Sequence, residues 1–148
     1  MEVTRDFEEF FASFNAHNVQ YLVVGGYAIA LHARPRYTGD MDVFVSRNES
    51  NAKNIALALV DFGFRSPQLP WSDFSAPGRV IQIGYPPNRI DIVTSIDGVE
   101  FDQAWERRVA ATYGAQTVHF ISKADLVANK RASGRPQDLS DLDTLTKG

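Results

Sequence analysis

The chain has 148 residues, a formal net charge of -3 and no cysteine. That length can bury a real core but leaves little room for a second domain, and the missing thiols exclude a disulfide framework or a thiolate metal centre. The acidic balance argues against a protein built to coat nucleic acid, no run approaches the roughly 20 apolar residues of a membrane span, and the acidic start MEVTRDFEEF is unlike a signal peptide, so a soluble, cytoplasmic protein is the expectation.

In chain order, Phe7, Phe10, Phe11 and Phe14 fall at helical spacing and predict a helix over 6–17 with its Phe face in the core. Thr4 is placed to cap it. A strand follows from about Gln20, and its apolar run Tyr21-Leu22-Val23-Val24 stops at Gly25-Gly26. Two glycines after a strand allow a turn at positive φ and let a bulky group approach the backbone. A helix beginning there offers unpaired N–H groups to an anion. The Ala- and Leu-rich segment from Tyr27 to Ala33 predicts such a helix, and a stiff basic loop, Arg34-Pro35-Arg36, leads out of it.

Asp40-Met41-Asp42-Val43-Phe44-Val45 then reads as a strand. Residues two apart share a face, so Asp40 and Asp42 point one way and Met41 and Val43 the other. Neighbouring carboxylates repel, and they need hydrogen bonds, a basic partner or a cation. Magnesium is the natural candidate where carboxylates also serve phosphates.

Asn48 or Ser50 is placed to cap a helix over 52–62 that Gly63 ends. Residues 65–78 read as loop, with Trp71 and Phe74 either anchoring it, the favoured reading, or forming one wall of a base pocket. Arg79 to Gly84 and Arg89 to Val93 pair as strands around Tyr85-Pro86-Pro87-Asn88. The second carries Asp91 between Ile90 and Ile92, an acid on an apolar element that needs a reason. A helix over 98–108 puts Phe101 and Trp105 on one face, and 110–113 with 117–121 make a hairpin around Gly114. Ser122 caps a helix carrying Asp125, Leu126, Val127 and Lys130. Ser133-Gly134-Arg135-Pro136 breaks that helix, and 137–147 resumes it with Leu139, Leu142 and Leu145.

Val24-Gly25-Gly26, a spacer from Tyr27 to Gly39, Asp40-Met41-Asp42-Val43 and the later Asp91 together resemble the signature of the nucleotidyltransferase superfamily with the DNA polymerase beta type of palm. The tail resembles that of small bacterial members, including some from toxin–antitoxin loci. The resemblance implies one α/β (α+β) domain over 1–148: a central mixed twisted sheet flanked by helices, core about 19–121, with a C-terminal helical hairpin over 122–147. It implies a nucleotidyltransferase that moves a nucleoside monophosphate from an NTP to a hydroxyl acceptor, with Mg2+ or Mn2+ held by Asp40, Asp42 and Asp91, the same three being the catalytic residues. Gly25, Gly26, Arg36 and Lys130 become the nucleotide contacts, and Arg135, Asp138 and Asp141 structural ion-pair partners. One departure is Gly26, where relatives often carry Ser, which leaves the phosphates to backbone N–H groups. The acceptor is open, with long duplex DNA disfavoured by the charge. The chain is too short for the acceptor domain of larger relatives, which points to a partner protein or a homodimer. The rival reading is a non-catalytic member that binds a partner, as in a toxin–antitoxin pair.

Overall fold

The computed structural model describes residues 3–34, 39–64 and 70–147. In chain order these form α1 (Arg5–Ala16), β1 (Tyr21–Val24), α2 (Gly25–His32), β2 (Met41–Val45), α3 (Glu49–Phe62), a 3₁₀ turn (Trp71–Phe74), β3 (Val80–Ile83), β4 (Ile90–Val93), α4 (Phe101–Glu106), β5 (Val109–Tyr113), β6 (Gln116–Phe120), α5 (Lys123–Ser133) and α6 (Pro136–Thr146). The strands make one mixed sheet in the order β3-β4-β2-β1-β6-β5. β1 runs antiparallel to β2 and parallel to β6, whereas β2 runs parallel to β4. The expected sheet flanked by helices, closed by a C-terminal helical hairpin, is the observed fold.

The central strands are buried on both faces, which is why they read as continuous apolar runs. Tyr21, Leu22, Val23, Val43 and Val45 have no exposed surface. Phe7, Phe10, Phe11 and Phe14 of α1 are equally buried. They form an aromatic cluster in which Phe11 stacks on Tyr21 at 5.6 Å and Phe10 lies 4.1 Å from Phe14. Truncating one of these rings to Ala costs about 3–5 kcal/mol. The hydroxyl of Tyr21 stays satisfied by donating to Asn15 Oδ1 at 2.9 Å.

The caps follow the local chemistry, with two corrections. Asn48 accepts from Asn51 N–H at 2.7 Å and Ser122 accepts from Asp125 N–H at 3.1 Å, as expected. Gly63 closes α3 in the left-handed region at φ 102°. Thr4 holds the N-cap position of α1, but its side chain makes no cap bond. Its backbone N–H instead donates to Tyr113 Oη at 2.8 Å, so a tertiary partner replaces the local one. The helix expected over 98–108 is confined to Phe101–Glu106. Ahead of it Gly98 turns at φ 75° and Ile96 bridges to Val99. Phe101 and Trp105 do share a face, stacked at 5.8 Å. The anchoring read into Trp71 and Phe74 holds: Phe74 is buried, and Lys53 of α3 lies over the Trp71 ring at 5.0 Å. Among the described residues, no helix is long and apolar enough to cross a membrane.

Candidate active site

β1 delivers the chain into α2 with no connecting loop, because Gly25 turns at φ 68° immediately after Val24. Val24 lies opposite Asp42 in the antiparallel register, so the glycine turn and the acidic strand meet at one end of the sheet. A Cβ at Gly25 would collide with the Asp42 carboxylate. Backbone conformation and close approach therefore both demand glycine there. The first-turn N–H groups of α2 have no intrahelical acceptors.

The carboxylates converge through strand pairing. Asp42 and Asp91 stand directly side by side in the parallel pairing of β2 and β4, which puts them on one face. Arg89 lies two residues before Asp91, and so on the same side of the strand. Its guanidinium reaches back over both acidic flanks. Nη2 donates to Asp40 Oδ2 at 2.6 Å and to Asp91 Oδ2 at 3.3 Å, and Nε lies 3.1 Å from Asp91 Oδ1. That last pair is joined by charge alone: both atoms are buried and neither has an aligned hydrogen bond. The Arg89 carbonyl accepts from Met41 N–H at 3.0 Å, which fixes the base of the arginine against β2.

Asp42 is left out of this arrangement. No described residue donates a hydrogen bond to it. Burial, then the charges of Asp91 and Asp40, push its carboxyl up to about 6, against smaller opposing effects of Lys130 and Arg89. Three carboxylates face one guanidinium, so the set carries surplus negative charge.

The opposite wall comes from the C-terminal hairpin. A cavity of about 480 Å³ is lined on one side by Gly25, Gly26, Gly39, Asp40 and Asp42, and on the other by Lys130, Arg135, Pro136, Gln137, Asp138 and Asp141. The Lys130 ammonium donates to Asp138 at 3.2 Å and lies 3.6 Å from Asp141, while Arg135 Nε donates to the other oxygen of Asp138 at 2.7 Å. Burial alone would raise the Asp138 carboxyl. Hydrogen bonds from Arg135, Ser133 and Lys130 outweigh it and hold the group well below the usual carboxylate range. Gly134 at φ 63° and Pro136 at the start of α6 make the sharp reversal that brings Arg135 and Asp138 together.

Gly25, Gly26, Asp40, Asp42 and Lys130 thus border one cavity. Asp91 does not line it: it is 8 % exposed, set beside Asp42 and held by Arg89. The ion-pair roles expected of Arg135, Asp138 and Asp141 are seen. Arg36 lies outside the described residues. Arg34 is exposed and borders a different, smaller cavity beside Asp143 and Lys147. Sequence reasoning missed Arg89, although an arginine two residues before an isolated strand acid was the available signal.

Among the described residues, no three His, Cys, Asp or Glu side chains are grouped closely enough to make a ready metal centre. Arg89 occupies two of the three carboxylates. The donors nevertheless fit a hard divalent cation. Asp42, crowded by negative charge and without a described donor, is an oxygen ligand in need of a positive partner, and Asp40 adjoins it on the same cavity wall.

A family model described as "Nucleotidyltransferase of unknown function (DUF6036)" matches residues 1–146. No curated protein matches the sequence significantly. Among solved structures, an antigenic nucleotidyltransferase-like protein from Paracoccidioides brasiliensis aligns at TM-score 0.55 and 16% identity, covering 95% of this chain and 74% of its own. ANT(2")-Ia, solved in complex with adenylyl-2"-tobramycin, aligns at TM-score 0.57 and 14% identity, covering 95% of this chain and 86% of its own. At these identities the likeness establishes a shared nucleotidyltransferase-like fold.

Proposed function

The chain belongs to the DUF6036 nucleotidyltransferase family, and from that premise we propose that it transfers a nucleoside monophosphate from an NTP to a hydroxyl acceptor, releasing pyrophosphate. The observation that carries this reading is one cavity bordered by the Gly25-Gly26 turn, Asp40, Asp42 and Lys130. Asp40 and Asp42 would hold the divalent cation. When bound, the cation neutralises triphosphate charge and eases loss of the acceptor proton.

The chain's own groups do the rest. The glycine turn lets phosphate oxygens come up to the backbone, and the first N–H groups of α2 receive them. Lys130 presents its ammonium from the facing wall, anchored in advance by Asp138 and Asp141, so little freedom is lost on binding. Asp91 fixes Arg89, which in turn holds Asp40. The acceptor oxygen attacks the α-phosphorus in line, its proton passing to a carboxylate of this set. The new O–P bond forms as the bond to the pyrophosphate oxygen breaks. Positioning and charge neutralisation supply the rate, with no covalent enzyme intermediate.

The acceptor is a small molecule, RNA or protein rather than long duplex DNA, since the net charge of -3 gives little affinity for extended phosphate. Incubation with α-labelled NTPs, Mg2+ and cell fractions separated into protein, RNA and metabolites tests the reading. Label should enter one fraction and be lost with Asp42→Asn. No transfer, even with a co-purified partner added, would favour the rival reading of a non-catalytic partner-binding protein, for which Arg89's hold on two of the three acids speaks.

A further inference from the structure

Arg89 fills a position that nucleotidyl transfer does not by itself require. It engages both oxygens of Asp91, at 3.1 and 3.3 Å, and one oxygen of Asp40 at 2.6 Å. Its side chain is 29% exposed, and the backbone hydrogen bond from Met41 to its carbonyl ties it to the strand that carries Asp42. A guanidinium stays protonated at any working pH and matches carboxylates in a fork, so this is a fixed positive charge rather than a mobile one.

We infer that Arg89 is a built-in counter-cation, so that the cleft takes a single divalent metal ion instead of two. The inference rests on the nucleotidyltransferase reading above and deepens it. Counting charge, three carboxylates are cancelled by one guanidinium and one divalent ion; a second ion would overcharge the protein side. Counting ligands, Asp91 is committed to Arg89, as is one oxygen of Asp40. That leaves Asp42 and the other oxygen of Asp40, enough for one magnesium, which commonly takes one or two carboxylates and fills its octahedron with phosphate and water oxygens. A second ion beside Asp91 would have to displace the guanidinium and leave it facing two cations.

The test counts ions directly. The full chain is dialysed to equilibrium against Mn2+ and α,β-methylene-ATP, and bound Mn2+ is measured per bound nucleotide. Wild type should bind one ion. Arg89→Gln should bind two, because Asp91 is freed, and the double variant R89Q/D91N should return to one. Removing Arg89 leaves the buried Asp91 bare and threatens folding, so Asp91→Asn provides a second arm. It should keep one ion per bound nucleotide, because the ion's ligands, Asp42 and the uncommitted oxygen of Asp40, are not the group removed. Two ions in wild type, an unchanged single ion in R89Q, or loss of the ion in D91N would each overturn the inference while leaving the nucleotidyltransferase reading standing. No Mn2+-dependent nucleotide binding by wild type would overturn that reading, and the inference with it.

Discussion

Two acidic clusters face each other across the same cleft, and they are built on opposite terms. On the sheet, Asp40 and Asp91 share the guanidinium of Arg89, while no described residue donates to Asp42, which is pushed up to about 6 by burial and its acidic neighbours. On the C-terminal hairpin, Asp138 and Asp141 are matched by Lys130 and Arg135, and Asp138 is held well below the normal range. Buried charge costs free energy unless it is paired. The hairpin has settled that cost internally, and the sheet has not. Balanced charge marks structure, whereas unbalanced charge marks a place that awaits a ligand.

The largest expected effect should fall on the balanced side. Lys130→Ala leaves Asp138 with Arg135 as its described cation and Ser133 as a neutral donor, and strips the described lysine contact from Asp141, both buried. Breaking a buried pair from one side costs about 3–5 kcal/mol. Urea denaturation should show that loss as a fall in the midpoint with little change in slope. A loss under about 1 kcal/mol would mean the hairpin pairs behave as surface pairs, and the contrast between the clusters would fail.

The same measurement on the sheet side should give the opposite sign. The Asp42 carboxyl titrates near 6 in the folded chain against 3.8 normally. Ionising it therefore costs the folded state: the stability it lends is full below about pH 4 and is lost as pH rises through about 6. Without divalent metal, Asp42→Asn should stabilise the protein by about 1–3 kcal/mol at pH 8 and by almost nothing at pH 4. A destabilised variant at pH 8 would show that Asp42 has a partner the contrast denies it.

How much of this could be read from the chain depends on the length scale of each cause. The β1 turn, the acidic strand and the Phe face of α1 are local patterns, and period-two and helical spacing exposed them. The convergence of Asp91 with Asp42 needed a parallel pairing between strands separated by α3, the 3₁₀ turn and β3, and only the family resemblance supplied that. Arg89 escaped for a related reason. Its partners are set by the β2–β4 register, so the one local cue, an arginine two residues before a strand acid, does not by itself point to Asp40. The uncapped α1 is a case where a tertiary contact won over local propensity, whereas α4 is shortened by the local turn at Gly98 and the Ile96–Val99 bridge ahead of it.

Gly25→Ala sharpens the contrast at a single atom. The residue stands at φ 68°, where a side chain costs roughly 1–2 kcal/mol, and its Cβ would drive into the Asp42 carboxylate. A loss of about 2 kcal/mol should be accompanied by weaker Mg2+-dependent nucleotide binding, because the displaced group is the acid to which no described residue donates. Gly63→Ala is the control. Gly63 also has positive φ, at 102°, but nothing lies within 4 Å of its added Cβ, so stability should fall while nucleotide binding holds. Equal binding by both variants would separate the turn from the site.

The smallest effect is a pH dependence that only the sheet cluster should show. On the proposed reading a cation and a proton would compete for Asp42, so metal should be held less well as pH falls through about 6. Calorimetric titration of Mn2+ with α,β-methylene-ATP should therefore weaken by about tenfold between pH 7 and pH 5, roughly 1.4 kcal/mol. Proton release on binding should peak between those values, which two buffers of different ionisation enthalpy would reveal. Asp138 contributes nothing in this window, since it is held well below the usual carboxylate range and stays ionised throughout. The nucleotide's own protonation near pH 6 is removed by titrating Mn2+ into the analogue alone at each pH. Asp42→Asn should flatten whatever remains of the profile. A residual pH dependence that survives in that variant would place the titrating group elsewhere, and the surplus charge of the sheet cluster would no longer account for metal binding.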